Sequence, residues 1–113
     1  MLSDARIAPT LPVSDMARAR RFYEDTLGLT VEVEVEGTVR FKCGSGTGLA
    51  LYEQPTEAID RTVAAFEVDD IDAEVDELRG RGVDVEGIIT LASGLRRAFF
   101  KDLDGNVIGM RQL

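Results

Sequence analysis

Apolar and polar positions alternate along this chain in short runs, and helical spacing interrupts the alternation twice. Leu11 and Val13 share one side of a predicted strand over residues 6–13. Pro9 and Pro12 lie within it; proline cannot donate to a ladder, so an edge or irregularly paired strand is expected. Ser14 or Asp15 stands where a helix cap is needed, and Met16, Ala19, Phe22, Tyr23 and Leu27 follow at helical spacing. Arg18, Arg20, Arg21 and Glu24 take the water side, and Gly28 is a natural stop. Val31, Val33 and Val35 alternate with Glu32, Glu34 and Glu36, which predicts a half-exposed strand with its three acids on one solvated face. Neighbouring acids would sit about 6.8 Å apart, too far for tight metal coordination without a bend. Gly37 turns the chain into a strand over 38–43, with Val39, Phe41 and Cys43 on one face. The glycine-rich stretch 44–48 leads to a further strand over 49–53.

The same order then returns. Leu11-Pro12-Val13-Ser14-Asp15-Met16 recurs as Phe66-Glu67-Val68-Asp69-Asp70-Ile71, after a polar connector over 54–61 that contains Pro55. A strand over 62–68 runs into a helix capped by Asp69 or Asp70, with Ile71, Val75 and Leu78 as its buried stripe and Gly80 and Gly82 closing it. Strands are expected near 83–91, 95–101 and 106–112, with Asp104-Gly105-Asn106 as a hairpin signal between the last two. A long repeat present twice suggests paired modules rather than a solenoid. The expectation is a single domain over 1–113 of α+β class, with module one over about 6–53, a linker over 54–61 and module two over about 62–113.

Composition narrows the partners. Of 113 residues, 44% are hydrophobic, enough for a core, and 13 basic against 21 acidic residues leave a net charge of −8. That disfavours nucleic acid and anionic membranes, which both need a basic footprint. No run approaches the roughly 20 apolar residues that span a bilayer. The polar start, Met1 to Arg6, does not suit a signal peptide. Cys43 stands alone, so no intrachain disulfide can form, and a cytoplasmic location is expected. There is no histidine.

Three stretches carry a resemblance. Leu11-Pro12-Val13-Ser14-Asp15, Phe22-Tyr23-Glu24-Asp25-Thr26-Leu27-Gly28-Leu29 and Phe99-Phe100-Lys101-Asp102-Leu103-Asp104-Gly105-Asn106 resemble the vicinal oxygen chelate superfamily. That group includes glyoxalase I, extradiol dioxygenases, fosfomycin-resistance enzymes and bleomycin-binding proteins. The likeness covers nearly the whole chain, although the family usually has proline at the position of Leu103. It implies two βαβββ modules, each curling its sheet around a concave pocket with the helices outside. In metal-using members the first and last strands of each module supply the ligands. The matching positions here are Ala8, Ala50, Val63 and Gly109, none with a donor side chain. A divalent metal needs several nitrogen, oxygen or sulfur ligands, so no metal and no cofactor are expected.

Strand parity from those positions puts Thr10, Tyr52, Glu67 and Arg111 on the pocket face beside Ala8, Ala50, Val63 and Gly109. Arg40, Lys42, Arg97 and Phe99 join them on the middle strands. Such a pocket suits an aromatic or anionic small molecule, because a guanidinium can fork onto a carboxylate or phosphate. Alternatively, Arg40, Lys42 and Arg97 sit opposite the Glu32, Glu34 and Glu36 row as ordinary cross-strand ion pairs. Glu67 and Tyr52 are the candidate catalytic groups: partial burial would tune Glu67 as a general base, unless it simply pairs with Arg111 or Arg97. Cys43 would lack a histidine base, and the 44–48 glycines lack the Lys-Ser/Thr ending of a phosphate loop. The readings are therefore a metal-free binding protein like the bleomycin-binding proteins, or a metal-independent enzyme such as a lyase or isomerase. Open sheet edges and the family habit both point to a homodimer.

Overall fold

Asp15 and Asp70 each start a helix in a computed structural model that describes residues 1–58 and 61–112. The Asp15 carboxylate accepts from the Arg18 amide at 3.2 Å and Asp70 from the Ala73 amide at 3.1 Å, satisfying donors that a helix start otherwise leaves orphaned. Helix α1 (Met16–Arg21) runs on through a π-helical turn, Phe22–Thr26; helix α2 spans Ile71–Gly80. Gly82 ends α2 with φ +86: its amide bonds to the Arg79 carbonyl and the Val83 amide to that of Leu78. That paired C-terminal bonding needs a left-handed residue, which glycine adopts without a Cβ penalty.

The strands are β1 (Thr10–Val13), β2 (Thr30–Val35), β3 (Thr38–Lys42), β4 (Gly48–Glu53), β5 (Thr62–Glu67), β6 (Ile89–Thr90), β7 (Arg96–Lys101) and β8 (Val107–Gln112). They form two four-stranded mixed sheets, β1-β4-β3-β2 and β5-β8-β7-β6. In each, the first strand runs parallel to the last and the remaining pairs are antiparallel. Each sheet lies in its own compact unit, Met1–Thr56 and Glu57–Leu113, and each unit is a βαβββ module of an α+β fold. Positions 59 and 60 of the expected linker, and position 113 at the end of module two, lie outside the described residues.

One face of each sheet packs beneath its helix. Leu11, Val13, Val39, Phe41, Leu49 and Leu51 are at most 2% exposed in the first unit, together with Tyr23 of the π-turn. Ile71, Val75, Ala98, Phe100, Ile108 and Met110 fill the same role in the second. Leu11, Val13, Leu49, Leu51, Ile108 and Met110 therefore lie on the helix side, as their alternation predicts, whereas a register shift in β5 between Thr62 and Ala64 interrupts the alternation at Val63. The last strand of each module also reaches under the helix start. Glu53 accepts from the Met16 amide and Gln112 from the Ile71 amide, each at 2.8 Å. Replacing Glu53 by alanine is expected to lower stability by about 1 kcal/mol, whereas Glu53→Gln, which copies Gln112, should lose only a few tenths. Urea midpoints of the two variants check this.

Three expectations need correction. The first strand is shorter than 6–13: ladder pairing begins at Thr10, although the Pro9 carbonyl still accepts from the Ala50 amide at 2.8 Å. It is an edge strand, as its prolines require. The strand near 83–91 contracts to Ile89–Thr90 plus a single bridge from Val85 to Phe100. Arg79 explains this locally, because its Nε and Nη2 both donate to the Val85 carbonyl, at 3.2 and 2.8 Å, and take up an acceptor that a ladder would use.

The third correction concerns the glutamate row. Register shifts between Val31 and Val33, so Val31 pairs with Phe41 whereas Val33 pairs with Arg40. Such a bulge flips parity by one residue. Glu34 consequently turns to the helix side and meets Arg20 of α1 at 2.8 Å, while Glu32 meets Arg6 and Arg40. The three acids do not share a face. Val33 and Val35 share the face of Arg40 instead, 38% and 59% exposed.

Candidate functional site

Register sets most of the expected pocket residues on the face of each sheet that its helix leaves open. In the first unit Thr10, Ala50 and Arg40 occupy one rung, and Pro12, Tyr52 and Thr38 the next. Ala8 precedes β1, and its carbonyl accepts from the Thr10 hydroxyl at 3.3 Å. In the second unit Glu67, Arg111, Arg97 and Ile89 form one rung, and Ala65, Gly109 and Phe99 the next. Val63 falls inside the register shift between Thr62 and Ala64 and is half-buried.

Charge is handled differently on the two faces. In the first unit Arg6 donates from Nη1 to Glu32 Oε1 at 3.0 Å. Arg40 Nε lies 3.8 Å from the other oxygen, an ion pair beyond hydrogen-bond reach that leaves this buried Nε without a hydrogen-bond partner among the described residues. The Arg6 guanidinium holds the Glu32 carboxyl below the usual range, Arg40 and Lys42 add to it, and desolvation opposes them. Arg6 begins the strand expected over 6–13, yet nothing in the local pattern marks it for this role, because it meets its partner 26 residues away. Cross-strand pairing with a glutamate thus holds for Arg40.

It does not hold for Arg97. That residue lies in the other sheet, between Arg111 and Ile89, with no glutamate of the 32–36 row opposite it. Its Cζ sits 5.7 Å from the Phe99 ring centroid, and its Nε is buried with no hydrogen-bond partner among the described residues. Glu67 accepts from Arg111 Nη2 at 3.3 Å, so it pairs as one sequence reading had it. Its side chain is 70% exposed, however, and the partial burial that would tune it as a base is not found. Tyr52 is half-buried as a residue, and its hydroxyl accepts from Gln54 Nε2 at 3.5 Å. Burial pushes the Cys43 thiol up, away from reactive thiolate. Glu53, capping α1, is committed to structure.

The residues present do not fit the metal that the resemblance implies. Ala8, Ala50, Val63 and Gly109 offer no side-chain donor, and among the described residues no three His, Cys, Asp or Glu side chains gather as a ligand group. Gly109 lies against an aromatic ring. A Cβ there would stand 3.4 Å from Phe99 Cε1 and 3.5 Å from the Ala65 Cβ, in ordinary van der Waals contact, so the Phe99 ring packs directly beside this position. Among the described residues no helix is long and apolar enough to cross a membrane.

Comparison with known proteins agrees with this architecture. The sequence profile of the glyoxalase/bleomycin resistance protein/dioxygenase superfamily matches residues 6–110. A search of curated protein sequences returned no match. Among solved structures, the chain is 32% identical to a glyoxalase/bleomycin resistance protein from Streptomyces sp. CB03234, with a TM-score of 0.78 over 96% of this chain and 100% of that one. It is 30% identical to TnmS3, an antibiotic binding protein from the same Streptomyces sp. CB03234, with a TM-score of 0.80 over 96% and 97% of the two chains. A lactoylglutathione lyase from Agrobacterium tumefaciens is 26% identical, with a TM-score of 0.74 over 96% and 93%. With the paired βαβββ modules, the capping acids and a profile match over nearly its whole length, the chain belongs to the glyoxalase/bleomycin resistance protein/dioxygenase superfamily.

Proposed function

We propose that this protein binds an aromatic or anionic small molecule against the open faces of its sheets and works without the family metal. The observation that carries the reading is the state of the four ligand positions: the side chains of Ala8, Ala50, Val63 and Gly109 donate nothing to a metal. The open faces carry cations, small residues and aromatic rings beside the paired Glu67 and a few exposed aliphatics, a lining that serves recognition better than bond-making. The similarity to an antibiotic binding protein supports the same direction. A metal-independent enzyme using Glu67 or Tyr52 is the second reading. It has less support, because nothing desolvates Glu67 and its carboxylate is already paired with Arg111.

The protein acts in the cytoplasm as a homodimer, with no nucleic-acid or membrane partner. Val33 and Val35 on edge strand β2 support the dimer, as exposed apolar residues beside unpaired backbone call for cover. Two measurements test the reading. After incubation with nickel, zinc and manganese in turn and desalting, elemental analysis should find well under one metal per chain; one full equivalent overturns the metal-free reading. A thermal-shift screen over aromatic, anionic and antibiotic compounds should raise the melting midpoint for a few of them. A ligand at a hundred times its Kd adds about 2.7 kcal/mol. A screen in which no compound raises it overturns binding.

A further inference from the structure

Among the described residues, the open face of the second unit holds a charge imbalance. Glu67, Arg111 and Arg97 share one rung, so two guanidinium groups face a single carboxylate, and that carboxylate is engaged by Arg111. Like charges directly opposite across a ladder are unfavourable. Arg97 bears the consequence: it rests on Phe99, and its Nε is shut away from water without an acceptor among the described residues. A buried donor left unpaired gives up the hydrogen bond it would make in water. Apolar surface surrounds this cation. Ile89, directly opposite Arg97, is 46% exposed, and the next rung offers Ala65, Gly109 and the half-buried Phe99.

From this juxtaposition we propose that the second unit's open face is a site for an aromatic carboxylate, with Arg97 as its anion clamp. The proposal rests on the binding reading above and adds the ligand's chemical class and location. The carboxylate takes the fork of Arg97, Nε included, and the ring lies against Ile89 and Phe99. Leaving Phe99 costs Arg97 no hydrogen bond at Nε, because none is made there. The attraction is local. The chain's net charge of −8 opposes an anion at long range, so affinity must come from contact with Arg97 and Arg111 rather than from steering.

The test titrates 2-naphthoate and its neutral isostere 2-naphthamide into the protein, following backbone amides by NMR. Naphthoate should bind at least tenfold more tightly than naphthamide, with shifts concentrated at Ile89, Arg97, Phe99, Gly109 and Arg111. Arg97→Gln should weaken naphthoate roughly ten- to hundredfold, as loss of a charged bidentate contact predicts. Arg97→Lys, which keeps the charge and loses the fork, should fall between. Arg18→Gln, on the exposed side of α1, controls for net charge and should leave binding unchanged. Equal affinity for acid and amide at this face overturns the anion clamp while leaving small-molecule binding standing. Shifts confined to residues 1–56, or an Arg97→Gln variant that binds naphthoate as tightly as the parent, overturn the site. Binding of neither probe overturns it too, and the wider screen then decides the broader reading.

Discussion

Truncating Tyr23 to alanine is expected to cost about 3–5 kcal/mol of stability, the largest effect of any single change considered. The ring is wholly buried, stacks on Phe41 with centroids 5.8 Å apart at 24°, and meets Phe22 edge-on at 5.5 Å and 84°. Its loss removes apolar burial from water and leaves a void beneath the π-turn, where the Tyr23 carbonyl also accepts from the Leu29 amide. Backbone bonding there limits collapse into the gap. Tyr23→Phe, which removes only the hydroxyl, should lose less than half as much, so the pair separates packing from polar contact. Urea unfolding at fixed pH measures both. A Tyr23→Ala loss below about 1 kcal/mol would mean the first unit closes over the cavity, against the close packing described.

Asp102→Ala is expected to cost about 2–4 kcal/mol, through unmade hydrogen bonds rather than a cavity. The residue is 7% exposed, and its Oδ1 accepts from the amides of Asp104 and Asn106, both at 2.9 Å. Its Oδ2 accepts from Asn106 Nδ2 at 2.8 Å, and Asn106 is itself only 2% exposed. Alanine takes away these acceptors from donors that water reaches poorly, which is the expensive way to lose a hydrogen bond. Asp102→Asn keeps one oxygen for the two amides but turns an NH2 group toward another NH2, so about half the loss should return. A change within 0.5 kcal/mol for the alanine variant would show that the β7–β8 turn forms without this carboxylate.

Much of the module was legible in the chain because each local signal acts within a few residues. Asp15 and Asp70 cap the helices as their positions suggest, and Gly82 ends α2 where a left-handed residue is needed. Period-two alternation placed Leu11, Val13, Leu49, Leu51, Ile108 and Met110 on the buried side. The glutamate row failed for a reason alternation cannot carry. A bulge between Val31 and Val33 is set by pairing with β3, and one extra residue reverses every side chain beyond it. The strand near 83–91 failed similarly, as Arg79 claims the Val85 carbonyl from a different element.

The candidate site divides along the same line. Sequence by itself determined the fold class, the paired modules, and the absence of donor side chains at Ala8, Ala50, Val63 and Gly109, because residue type and short-range period are properties of the chain alone. Tertiary structure decided which charges meet. Arg6 finds Glu32, Glu67 is spent on Arg111, and Arg97 rests on Phe99 with no acceptor at Nε among the described residues. Those outcomes depend on strand register between residues 26 and 44 positions apart, and register is a property of the folded sheet that no local pattern contains.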